Sequence, residues 1–145
     1  MRNNRIATSV AILAAACASG PGQTQTDAPT QRAITVLRQG TPTDVNAALM
    51  SAFEAEGLRT FLSEATPRQV VGTASGAQWH ARITGRTEAT PEGVLITFRG
   101  RYTRLPTPGF GIPPLTDDVT SSCDGRCGSL WVRMKRLAAA VSDRD

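Results

Sequence analysis

The sequence predicts an α+β fold in the order β-α-β-β-β-α, an antiparallel sheet with two helices packed on one of its faces. Three observations lead there. Two segments carry apolar residues at helical spacing, one near residue 45 and one near residue 134. Between them lie segments in which apolar and polar residues alternate, as half-buried strands require. Short turn signals join those strands, which makes neighbours antiparallel. Placing both helices on the apolar face of the sheet buries every stripe at once.

Ala33–Arg38 (AITVLR) is β-branched and apolar and reads as the first strand. Thr41-Pro42-Thr43-Asp44 opens the first helix. Thr41 can cap, Pro42 suits the first turn, and Asp44 favours the positive end of the helix dipole. Val45, Ala48, Leu49, Ala52 and Phe53 form one face, and Gly57 supplies the stop. Leu58–Thr66 is ambiguous, with Phe61 and Leu62 suited to begin a strand.

From Arg68 the period becomes two. Gln69–Ala74 is a short strand, with Ser75-Gly76 as its turn signal. Gln78–Arg86 sets Trp79, Ala81, Ile83 and Gly85 against His80, Arg82, Thr84 and Arg86. Val94–Tyr102 sets Val94, Ile96, Phe98, Gly100 and Tyr102 against Leu95, Thr97, Arg99 and Arg101. Thr90-Pro91-Glu92-Gly93 is the turn between them. Matching apolar faces through a loop of Ala89–Glu92 pairs Trp79 with Tyr102, Ala81 with Gly100 and Ile83 with Phe98. In the neighbouring hairpin Trp79 then covers Gly72. Residues 105–128 form a long Pro/Gly-rich loop, unusual in a compact domain. Ser129 can cap a final helix with Leu130, Met134, Leu137, Ala138 and Val141 on one face.

Ahead of this domain lies a different kind of segment. Arg2 and Arg5 are followed by an uncharged run from Ile6 to Ala16, and small residues flank Cys17. A basic region, a short apolar region and a small-residue cleavage site make a secretory signal. The apolar run falls well short of the roughly 20 residues that span a bilayer as a helix. With a cysteine at the cut, residues 1–17 resemble a bacterial lipoprotein signal. Ala14 stands where that pattern usually has Leu, and Leu13 lies one place earlier. The resemblance implies cleavage after residue 16, acylation of Cys17 and, because Ala18 rather than Asp follows, the outer membrane where the cell has two. Ala14-x-Ala16 and Ala16-x-Ala18 also suit ordinary signal peptidase, which leaves plain secretion open. The expected organisation is a signal peptide at 1–16, a flexible tether at 17–31 and a single small domain at 32–145. The element order resembles small α+β modules of envelope-assembly lipoproteins, a likeness of topology without a shared motif.

The formal charge of the chain is +4, and losing Arg2 and Arg5 reduces it to +2. Lys135 is the one lysine, so the arginine excess reflects a GC-rich genome, and no nucleic-acid partner is expected. With Cys17 assigned to the anchor, Cys123 and Cys127 remain as a pair in an oxidising compartment, and a disulfide is expected. Zinc is the weaker alternative, since it wants four ligands and His80 is the single histidine.

The hairpin register places Arg82 opposite Arg99 and His80 opposite Arg101, with Arg86 on the same face. That face is either solvated surface or a site for an anion. His80 has no acid beside it in this register, and Asp117-Asp118 lacks the rest of a calcium cage. Phe110, Ile112 and Leu115 either pin the long loop to the core or form an exposed apolar contact for a protein partner. No catalytic residues, metal or cofactor are expected. The leading expectation is a non-enzymatic, lipid-anchored envelope protein that binds another envelope component, either a protein or an anionic glycan or lipid. The alternatives are a small-ligand carrier with a pocket lined by Trp79 and Tyr102, and an enzyme acting on an envelope polymer. Oligomeric state is not legible in the sequence.

Overall fold

A computed structural model describes residues 28–64 and 68–142. The signal peptide, Cys17 and most of the tether lie outside the described residues. The elements are β1 (Ile34–Arg38), α1 (Pro42–Ala55), β2 (Arg59–Ser63), β3 (Gln69–Gly76), β4 (Trp79–Thr90), β5 (Gly93–Arg104), β6 (Leu115–Asp118) and α2 (Gly125–Val141). The strands form one antiparallel sheet in the order β1-β5-β4-β3-β2, with β6 also beside β5. The fold is α+β, as the sequence predicts, with two strands more than the expected order. Among the described residues no helix is long and apolar enough to cross a membrane.

Thr41 caps α1, its hydroxyl oxygen accepting from the Asp44 N–H at 3.2 Å. Gly57 ends the helix at φ +74°, a conformation few other residues adopt. Val45, Leu49 and Phe53 on α1 are fully buried. They meet Val70, Ile83, Ile96 and Phe98 from the sheet and Met134 and Leu137 from α2. Phe53 and Phe98 lie with ring centroids 6.3 Å apart. The Phe53 ring also lies over Gly72, where any side chain would collide with it. Gly100 makes similar room for Met134 Sδ and Val119. At the end of this core Thr87 Oγ1 donates to Asn46 Oδ1 at 3.1 Å, a buried polar pair that satisfies itself.

Two strands share one edge of β5. β1 pairs with its first half, from Val94 to Phe98, and β6 with its second half, from Arg101 to Arg104. Val119 fills the seam, its N–H donating to the Gly100 carbonyl at 2.9 Å. Beyond it Ser121 and Gln31 are tied twice: the Ser121 N–H donates to the Gln31 carbonyl, and the Gln31 N–H donates to Ser121 Oγ.

The register of the central hairpin differs from expectation by two residues. Its loop is Pro91–Glu92 alone, so Thr90 pairs with Gly93. Trp79 therefore faces Arg104, Ala81 faces Tyr102 and Ile83 faces Gly100. A shift of two leaves every side chain on its expected face and changes only the partners. Trp79 covers Gly76 rather than Gly72. The last helix begins at Gly125 after Asp124, not at Ser129. Ser129 lies within it and donates to the Gly125 carbonyl at 3.2 Å. The loop expected over 105–128 is interrupted by β6 and by the first turn of α2.

The helices are joined at the surface. Arg136 of α2 donates through Nε at 3.0 Å and Nη2 at 2.9 Å to the carboxylate of Glu56, which caps α1. Arg133 adds its charge at 3.7 Å. The hydrogen bond from Arg136, aided by both positive charges, holds the Glu56 carboxyl below its ordinary value against the opposing effect of burial. A depressed carboxyl contributes stability that is present above its unfolded value and lost as pH falls through its folded value. Glu56→Gln is therefore expected to lower the urea midpoint at pH 7. Wild type should converge on the variant as the pH falls below about 4.5, and a gap that persists at pH 2 would contradict the assignment.

Candidate functional site

Strand alternation sorts the sheet into two faces. The apolar face lies under α1 and α2. The other face carries His80, Arg82, Thr84, Arg86 and Glu88 from β4, all exposed except the half-buried Thr84. Val71 of β3, opposite Thr84, is buried on this face. From β5 it carries Leu95, Thr97, Arg99, Arg101 and Thr103. With the register shifted, Arg82 faces Arg101, Thr84 faces Arg99 and Arg86 faces Thr97. Two like charges still stand directly opposite each other, which costs stability in a cross-strand pair.

A groove of about 800 Å³ runs along this face, lined by Arg32, Arg86, Arg99 and Arg101 with Thr84 and Thr97 between them. Its four guanidinium groups outnumber its two carboxylates, Glu88 and Asp118. Arg101 Nε lies 3.8 Å from Asp118 Oδ1, and both side chains are exposed, so this pair is weak. Arg32, Arg86 and Arg99 make no ion pair or side-chain hydrogen bond among the described residues. Unengaged guanidinium forks beside threonine hydroxyls offer bidentate donors to a carboxylate or phosphate. The sequence placed Arg86, Arg99 and Arg101 on this face. It left out Arg32 and Asp118, which reach the groove only because β1 and β6 close on β5.

The other sequence candidates fall elsewhere. His80 is exposed between Ser75 and Thr103, not opposite Arg101. Asp118 lines the arginine groove and Asp117 does not, since neighbouring residues of β6 alternate in direction. Among the described residues no three of His, Cys, Asp and Glu gather into a metal site. Cys123 and Cys127 are joined in a disulfide with Cα atoms 5.6 Å apart, which replaces the zinc alternative. It staples the segment before Asp124 to the first turn of α2, and so short a loop places its entropic contribution near 2 kcal/mol, the low end for disulfides.

Trp79 and Tyr102 lie 6.4 Å apart between centroids. Trp79 borders an open cleft of about 430 Å³ against Arg126, Leu130 and Arg133 of α2, but Tyr102 does not line it. Tyr102 is buried, and the space between the layers is filled by Leu49, Phe53, Phe98 and Met134. Trp79 sits at the rim, with the Arg126 guanidinium 5.0 Å above its ring in a cation–π contact. Phe110, Ile112 and Leu115 are exposed by 72%, 56% and 60%, so they do not pin the loop to the core.

Compared with known families, characterised proteins and solved structures, the chain matches none.

Proposed function

We propose that this chain is a non-enzymatic protein of the bacterial cell envelope, held to the membrane by acylation of Cys17, whose arginine-lined sheet face binds an anionic envelope component. The groove of Arg32, Arg86, Arg99 and Arg101 is the observation that carries the reading. Repulsion across Arg82 and Arg101 is relieved when an anion arrives. The filled core argues against the carrier alternative, and scattered carboxylates argue against an acid–base enzyme on this face. The signal-like segment supplies the location: facing the periplasm, on the outer membrane where the cell has two. The partner is an anionic polymer or headgroup bearing phosphates or carboxylates.

Two measurements test this. Arg86→Thr/Arg99→Thr is expected to change stability by less than about 0.5 kcal/mol, as surface substitutions usually do. The same variant should lose most of its co-purification with anionic envelope material. Raising salt should release the wild type progressively, since screening weakens exposed charge contacts. Co-purification that neither the variant nor salt alters would rule out the anion. For the anchor, a fatty-acid probe is expected to label wild type and not Cys17→Ser, and an unlabelled wild type would refute it.

A further inference from the structure

Residues 105–116, Leu-Pro-Thr-Pro-Gly-Phe-Gly-Ile-Pro-Pro-Leu-Thr, contain no charge. Leu105, Phe110, Ile112 and Leu115 are exposed together on this one segment. Isolated exposed apolar side chains are ordinary, but a run of large ones on a single stiffened loop marks a contact surface. Four prolines restrict the backbone, which reduces the entropy lost when the loop is seated.

The position of the loop selects its occupant. It leads directly into β6, and three residues beyond β6 Ser121 is bonded to Gln31, the point where the chain from the N-terminus enters the domain. Extended chain from Leu115 to Ser121 spans at most about 20 Å. The residues between Cys17 and Ala28 can span at most about 40 Å. A lipid on Cys17 thus confines the domain near a bilayer with slack enough for the loop to touch it, on the same sheet edge that the tether enters. Confinement of this kind makes a weak second contact effective.

We propose that Phe110, Ile112 and Leu115 insert into the bilayer surface that carries the anchor, as a second, shallow membrane contact. The contact rests on the anchor reading above. Because the loop is uncharged, it acts on neutral lipid and is insensitive to salt, unlike the arginine groove. Each such side chain moved from water into hydrocarbon is worth roughly tenfold in partition. With the loop seated, its sheet edge is held at the membrane.

The test uses the full acylated chain in phosphatidylcholine vesicles with brominated acyl chains. Phe110→Trp adds an emitter at a site 72% exposed, where the change leaves the core untouched. Its emission, taken as the increment over wild type, is expected to be blue-shifted and at least halved by the brominated lipid, at low and high salt alike. An increment that stays red, unquenched by bromine and open to aqueous acrylamide overturns the proposal. So does a chain that self-associates through the loop, seen as a dimer by sedimentation that Phe110→Ser/Ile112→Ser abolishes. The fatty-acid label on Cys17 separates the failures. Label without quenching sinks the loop contact alone, and absence of label removes the anchor and the contact with it.

Discussion

Gly72→Ala is expected to destabilise the domain by about 3 kcal/mol, although alanine is ordinarily the better residue in a strand. A Cβ at Gly72 would lie 2.9 Å from Leu58 Cδ1 and closer still to the ring of Phe53. Phe53 is fully buried and stacked on Phe98, so it has nowhere to withdraw. Overpacking of a filled core costs about 1–3 kcal/mol, and a clash with a ring wedged between two layers belongs at the upper end. Urea denaturation of Gly72→Ala, Phe53→Leu and the double variant measures it. The double variant should recover at least about 1 kcal/mol relative to additivity, because the smaller side chain vacates the contact. Strict additivity would mean that the ring does not rest on Gly72.

Phe98→Ala removes the residue that joins the layers. Phe98 is fully buried and lies opposite Ile34 in β1 and Gly85 in β4. Losing its ring leaves a cavity under Phe53 at a cost of about 3–5 kcal/mol. A domain of this size has a total stability on the order of 5–10 kcal/mol, so the variant should be partly unfolded at 37 °C. Phe98→Leu should cost less than half as much, since most of the volume is retained. The measurement is the shift in thermal and urea midpoints for both variants, and a loss below about 1 kcal/mol for Phe98→Ala would contradict the packing described.

The two kinds of face were legible because alternation is a local signal. Trp79, Ala81 and Ile83 repeat at the strand period, and Val45, Leu49 and Phe53 at the helical one. Pairing was less legible. The apolar pattern fixes only the parity of a register, and a turn of Pro91–Glu92 and a loop of Ala89–Glu92 satisfy that parity equally. β6 has no pattern to find, since all of Leu115–Asp118 is exposed and its backbone bonds to β5 hold it in place. The start of α2 is hidden by Gly125 and Gly128, poor helix formers that a tight entry tolerates. The arginine face followed from strand alternation alone. The groove did not, because Arg32 and Asp118 meet at the seam where β1 and β6 divide the edge of β5, a long-range pairing.

The double tie between Gln31 and Ser121 has a mechanical consequence. On the anchor reading proposed above, tension would enter the domain at Gln31, and that point is not the free end of an edge strand. Tension arriving at Gln31 meets Ser121 before it reaches Ile34, the first residue of the β1 ladder. From Ser121 it runs through Ser122 into the covalent bridge between Cys123 and Cys127, and so into the long helix. The load is thereby divided between a helix anchored in the core and a five-residue ladder that on its own could be unzipped one bond at a time.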